Sequence, residues 1–188
     1  MSNRIEAIQR HANLHTSNFA FWMISVMHDN PLLPLFRNPY MLLKTARLEP
    51  GQKVVEVGCG PGFFTIPAAR IVGKDGLIYA VDTHPLAIKR VTEKIVREGI
   101  RNVKPVLANA SDTRLADESV DLAFLFGLRY IAGGLQNVLS EMHRVLKPGA
   151  VLSFEKTGGS QEGLIREVEE GGFAYSERQA RILIFVKR

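Results

Sequence analysis

From residue 53 onward, short apolar runs alternate with stretches in which apolar residues recur every three or four positions. The runs at 53–57, 77–81, 103–107, 120–126 and 150–154 are brief and rich in β-branched residues, the pattern of strands buried on both faces. Between them, residues 63–72 predict a helix, and Pro85 opens another that closes at Gly99. Leu135, Val138, Leu139, Met142 and Leu146 form one clear helical stripe, and Leu164, Ile165 and Val168 a shorter one ending at Gly171-Gly172. Asp75-Gly76 and Pro148-Gly149 mark turns into strands. The last two runs, 173–176 and 181–186, are too close to enclose a helix and predict a hairpin. Alternating strands and helices imply a mostly parallel sheet covered by helices on both faces, with the closing hairpin adding an antiparallel strand. Ligands of such sheets bind beyond the carboxyl ends of the strands, beside the first one.

The first forty residues follow a different pattern. Ile5, Ile8 and Ala12 share one helical face; Phe19, Trp22, Met23 and Val26 form a second stripe, and Phe21, Ile24 and Met27 fill its opposite side. A helix apolar all round must be buried against something. Asp29-Asn30-Pro31 and Pro34 break it, Asn38-Pro39 has the form of an N-cap with proline at the first helical position, and Glu49-Pro50-Gly51 makes a tight turn. We expect one domain over residues 1–188, with 1–48 a helical extension and 49–188 the ligand-binding core. The extension, rich in Phe, Trp and Met, is expected to act as a lid over the strand ends. The rival readings are a homodimer interface and a membrane-surface contact.

Composition narrows this picture. The 188 residues are 46% hydrophobic and 23% charged, ordinary for one folded α/β domain. The single cysteine, Cys59, excludes a disulfide framework within the chain and a cysteine-rich zinc site, and points to a cytoplasmic protein. No secretory leader is legible, no metal site is expected, and the apolar run 19–27 is too short to span a bilayer, so no transmembrane segment is expected. The formal charge of +5 keeps a nucleic-acid partner open without favouring it, because the densest basic stretch, Lys89 to Lys104, is diluted by Glu93 and Glu98 and reads as a solvated helix face.

The chemistry concentrates in Val54-Val55-Glu56-Val57-Gly58-Cys59-Gly60-Pro61-Gly62, which follows a strand and opens a helix. Gly58, Gly60 and Gly62 permit a sharp turn that a ligand can touch, with Cys59 a small residue within it. A dinucleotide fingerprint would need glycine where Phe63 stands, and a phosphate-binding P-loop would need a following Gly-Lys-Ser/Thr, so diphosphate binding is disfavoured. Glu56 at the loop's mouth would repel a diphosphate but suits a cationic ligand.

This stretch resembles the first motif of the class I S-adenosylmethionine-dependent methyltransferases, a strand ending in an acidic residue followed by Gly-x-Gly-x-Gly, and Lys147-Pro148-Gly149-Ala150 resembles the type-11 branch that includes quinone-biosynthesis enzymes. The resemblance spans about residues 50 to 155. It implies a Rossmann-like seven-stranded, mostly parallel sheet, S-adenosyl-L-methionine as donor and S-adenosyl-L-homocysteine as product. It also implies a donor site of Glu56, Gly58, Cys59, Gly60 and Gly62 with Asp82 on the ribose hydroxyls, Thr83 at the adenine edge, Asn109 and Ala110 at adenine, and Phe126 and Gly127 beside the methionine end. Many relatives carry aspartate where Asn109 stands; an amide oxygen can accept the same hydrogen bond, with Asp112 the rival. An aromatic face such as Phe126 suits a sulfonium. Asp121 begins its strand and reads as structural, and His84 reads as a helix cap or wall. The Asn-Pro-Pro-Tyr signature of amino-group methylation is absent, which favours a small-molecule acceptor over RNA or protein, and a pocket lined by the apolar N-terminal segment would favour a lipophilic or aromatic one. Where many relatives have a histidine pair, this chain has Leu128-Arg129-Tyr130. Arg129, Tyr130, His28 and Glu155 could handle a proton, but none has a supporting motif, and no catalytic residue is assigned.

Overall fold

The computed structural model describes residue 33 and residues 37–127, 131–155, 157 and 159–188. The two apolar stripes of the first thirty residues, His28, and Leu128-Arg129-Tyr130 lie outside the described residues.

Helix α1 (Pro39–Thr45) starts as its sequence demands: the Asn38 side chain accepts from the Met41 N–H at 3.2 Å, and Pro39 occupies the first turn. There follow β1 (Lys53–Val57), α2 (Thr65–Val72), β2 (Leu77–Asp82), α3 (Pro85–Arg97), β3 (Val103–Leu107), β4 (Val120–Leu125), α4 (Leu135–Val145), β5 (Leu146–Glu155), α5 (Gln161–Glu170), β6 (Phe173–Gln179) and β7 (Ile182–Lys187). The seven strands form one sheet in the order β3-β2-β1-β4-β5-β7-β6, with β7 antiparallel to both neighbours and the other pairings parallel. The chain reverses its direction of winding between β1 and β4, which opens a crevice at their carboxyl ends.

Successive residues of β1 and β4 point into two different cores, which is why both strands are unbroken apolar runs. Val54, Leu122 and Phe124 pack with α1, α2 and α3; Val55, Ala123 and Leu125 pack with α4, α5 and the final hairpin. Asp121 starts β4 on the far side from the crevice. It accepts from the Lys53 N–H at 2.7 Å and from Lys147 at 2.6 Å, the structural role its position suggests.

Several boundaries differ from the pattern. Residues 61–64 form turns, and α2 begins at Thr65 rather than Phe63, because Gly60 and Gly62 hold left-handed conformations that a helix cannot continue. β4 stops at Leu125, one residue before Phe126. Leu146, which completes a helical stripe in sequence, is the first residue of β5. Between the pairs Val120↔Leu146 and Leu122↔Val151, β4 advances two residues while β5 advances five, so 147–150 bulges outward. Pro148 has no N–H to pair and Gly149 sits at φ +72°, which suits a bulge. The hairpin is longer than expected, closing through Ala180-Arg181, with a register shift between Tyr175 and Glu177.

Candidate functional site

Beyond Val57 the backbone turns through Gly58, Gly60 and Gly62, all at positive φ. The N–H groups of Gly58 and Cys59 both donate to the Val81 carbonyl, at 2.8 and 3.1 Å, which ties the loop to the end of β2. The glycines serve different ends. A Cβ on Gly60 would meet nothing within 4 Å, so this residue faces open space that a ligand can fill. A Cβ on Gly62 would stand 3.3 Å from Val91 Cγ2, so its lack of a side chain serves the packing of the loop on α3.

Asp82 ends β2 half-buried beside this opening. Its carboxylate accepts from the Gly60 N–H at 2.9 Å and from the His84 N–H at 2.8 Å, joining the glycine loop to the turn before α3. His84 in turn caps α3, its Nδ1 accepting from the Leu86 N–H at 3.2 Å, and Thr83 between them is exposed. His84 is therefore committed to the helix start, as its place before Pro85 suggests.

Glu56 departs from the expected placement. Its carboxyl does not stand at the mouth of the loop but lies beneath it, 2% exposed, accepting from the Thr65 hydroxyl at 2.6 Å. Burial pushes its pKa up to about 8; the Thr65 hydrogen bond opposes the rise and the charge of Asp82 adds to it. Burial likewise raises the Cys59 thiol well above its ordinary range, with Glu56 and Asp82 adding to the effect, so this cysteine is a small packing residue and not a nucleophile.

After β3, Asn109 folds back on its own loop: its amide oxygen accepts from the Ser111 N–H at 3.1 Å. Gly133 lies against it, so close that a Cβ there would come within 3.0 Å of both Asn109 amide atoms. Ala110 is buried beside it. Asp112 turns outward, its side chain 71% exposed and 3.9 Å from Arg114. Asn109 thus faces its own loop and Gly133, whereas Asp112 faces solvent. Asn109→Asp should keep donor affinity and Asn109→Leu should lose it, read by calorimetry with S-adenosylhomocysteine. Equal binding by the leucine variant would remove Asn109 from the site.

At the end of β4, Phe126 is buried against Phe64 and Phe124, with ring centroids 5.3 and 5.0 Å away. Gly127 follows at φ +67° and donates its N–H to Glu155 at 2.8 Å. Glu155, at the end of β5 with a side chain only 2% exposed, also pairs with Arg37 and lies 3.5 Å from Arg181. Its carboxylate is thus held between two guanidinium groups and the Gly127 N–H. Arg37 was beyond the reach of sequence reasoning. It belongs to no stripe or motif, yet its guanidinium sits 4.9 Å over the Phe64 ring and beside Gly127.

Glu56, the glycine loop, Asp82, Thr83, Asn109, Ala110, Phe126 and Gly127 thus lie at or next to the carboxyl ends of four neighbouring strands. Among the described residues no group of three or more His, Cys, Asp or Glu side chains could hold a metal ion, and no helix is long and apolar enough to cross a membrane.

The family model described as "Methyltransferase domain" matches residues 54–149, just over half the chain. A demethylmenaquinone methyltransferase of Geobacillus stearothermophilus is 34% identical over 111 residues, covering 58% of this chain and 47% of its own length. An arsenite methyltransferase of Halobacterium salinarum is 34% identical over 104 residues, covering 55% of this chain and 27% of its own. The chain spans about half the length, or less, of these curated relatives. Among solved structures, an S-adenosylmethionine-dependent methyltransferase from Aquifex aeolicus has the same fold, with a TM-score of 0.75 and 24% identity over 87% of this chain and 95% of that one.

Proposed function

The chain belongs to the methyltransferase-domain family of class I S-adenosylmethionine-dependent proteins, and on that premise we propose that it transfers the donor's methyl group to a small, lipophilic or aromatic acceptor. The observation that carries the donor half of this reading is the open space over Gly60 with the Asp82 carboxylate 2.9 Å from its N–H. That open space lets a ligand approach the backbone closely, and the acid can receive two hydroxyl hydrogen bonds on its remaining lone pairs. The residues present therefore fit S-adenosylmethionine, which supplies a methyl group activated by a positively charged sulfur.

The chain's own part is to bind, orient and exclude water. Gly58, Cys59, Gly60 and Gly62 shape the cradle, Asp82 holds the ribose, and Thr83, Asn109 and Ala110 line the adenine end. Phe126 and Gly127 border the methionine end. Glu56 lies buried beneath the loop, where its carboxyl can respond to the donor's positive charge. No proton acceptor is assigned, since a methyl acceptor that is already deprotonated needs none.

The small-molecule reading is supported by the names of the relatives, which include demethylmenaquinone and arsenite methyltransferases. Arsenite chemistry through a set of cysteines does not suit a chain whose one cysteine is buried in the glycine loop. RNA or protein as acceptor draws support from the charge of +5 alone, and would show itself as nucleic-acid binding that falls steeply with salt. Calorimetry tests the donor assignment: S-adenosylhomocysteine should bind and NAD should not. Tighter binding of NAD would sink it.

Residues 1–48 would supply the acceptor lid. Arg37 and Leu33 support this, since the first reaches Glu155 and Gly127 at the strand ends and the second packs on the core beside α1. Removing residues 1–30 should leave donor affinity within a few-fold and abolish transfer. A change from dimer to monomer with intact transfer would instead mark the segment as an interface.

A further inference from the structure

We propose that the buried pair Thr113 and Glu141 decides which end of the Asn109 amide faces the base of the donor, and so sets a preference for an amino-purine over an oxo-purine. This rests on the donor reading above, in which Asn109 lies at adenine. Asparagine is ambivalent as a partner: turned end for end, its amide offers an N–H where it had offered oxygen. Gly133, which backs the side chain, does not choose between the two ends, since a Cβ there would stand 3.0 Å from both amide atoms. The choice falls to the Ser111 N–H, which donates to the amide oxygen at 3.1 Å. With the amide turned round, two donors would face each other. The oxygen's second lone pair can receive the amino group of an adenine.

The Ser111 N–H keeps its place only while the turn around it is held. Asp112 closes that turn, donating its N–H to the Asn109 carbonyl at 2.9 Å, and the next residue, Thr113, moors it to α4. Thr113 is 2% exposed, and its N–H and hydroxyl both donate to Glu141 Oε1, at 2.8 and 2.5 Å. Arg144 fixes Glu141 in turn, donating from Nε to Oε2 at 2.8 Å and from Nη2 to Oε1 at 2.7 Å. Hydrogen bonds to a buried carboxylate of this kind are the strong ones. The Thr113 hydroxyl also accepts from the Leu115 N–H at 3.3 Å. Between these two residues Arg114 sits at φ +58°, a left-handed conformation that arginine does not favour. The path of the loop is therefore not a local preference; the carboxylate on α4 imposes it.

Thr113→Val removes the hydroxyl and keeps the backbone bond to Glu141. Calorimetry on the full-length chain compares S-adenosylhomocysteine with S-inosylhomocysteine, whose base carries a carbonyl oxygen in place of the amino group, and melting temperature is recorded for every protein. The parent should prefer S-adenosylhomocysteine by roughly tenfold or more. In Thr113→Val that preference should shrink by about threefold or more, because the amide can turn to meet the carbonyl, and Thr113→Ser should keep the parental value. Asn109→Asp has no N–H to present, so in that background Thr113→Val should leave the preference unchanged. A merely structural role for Thr113 would weaken both ligands alike, or act equally in the two backgrounds. A parental preference in Thr113→Val, or the same loss in both backgrounds, would overturn the proposal. Should Thr113→Val fail to fold, Thr113→Ala carries the same expectation without placing a methyl group against the carboxylate. A parent that binds both ligands equally would also overturn the proposal. Failure of S-adenosylhomocysteine to bind at all would instead overturn the donor reading on which it rests.

Discussion

Asp82→Ala is expected to weaken S-adenosylhomocysteine binding by about 2–3 kcal/mol, the loss of a charged acceptor of two hydroxyl hydrogen bonds. This corresponds to roughly 30- to 150-fold in Kd, read directly by calorimetry. Two effects contribute. The carboxylate is the proposed ribose acceptor, and it already holds the Gly60 and His84 N–H groups, so its removal also loosens the glycine loop. Asp82→Asn separates them, because one amide oxygen can still hold a backbone N–H but cannot serve the loop and the ribose as a carboxylate does. Its loss should be intermediate. The residue is half-buried at a strand end, away from both cores, so the melting transition should stay cooperative in both variants. Unchanged affinity in the alanine variant would remove Asp82 from the donor site.

The second large effect is a pH dependence that originates in Glu56. With a native pKa near 8 against an ordinary 4.5, the folded chain holds a proton here that the unfolded chain releases. The contribution of this group to stability is complete below about pH 4.5 and is lost as pH rises toward about 8. The slope is at most about 1.4 kcal/mol per pH unit. Glu56→Gln keeps an oxygen for the Thr65 hydroxyl and carries no proton equilibrium, so its stability should fall less between pH 5 and 8. Donor binding should show the opposite trend. A cation above the loop favours the ionised carboxylate, so S-adenosylmethionine should release a proton on binding and bind more tightly as pH rises from 6 to 8. The glutamine variant should lack both the proton release and the pH dependence. Calorimetry in buffers of different ionisation enthalpy measures that proton. Superimposable pH profiles for parent and variant would refute the coupling.

The contrast between Asp82 and Glu56 shows which kinds of information lie in the chain itself. Both are acids at the end of a strand, and the residues around them suffice to place them there. Whether each faces the crevice or the interior depends on Thr65, nine residues beyond Glu56 at the start of α2, and on the Gly60 N–H, which meets Asp82 across 22 positions of the chain. Similarly, the spacing of residues 108–112 offers two acceptors, and it does not reveal that Asn109 packs against Gly133 while Asp112 turns outward.

By itself, then, the sequence determined the order and kind of the elements, the parallel sheet with its final hairpin, the glycine loop and the acid closing β2. These are local properties: an alternation of period two or 3.6, a capping residue before proline, a glycine where the backbone must take positive φ. The tertiary structure decided the start of β5, where pairing with β4 overrode a helical stripe and Pro148 and Gly149 were accommodated as a bulge. It also decided the burial of Glu56, and the joining of Arg37 to Glu155 across 118 positions of the chain. Such contacts arise from which surfaces meet once the sheet is assembled, and an ion pair between distant residues leaves no period, motif or spacing from which it could be read.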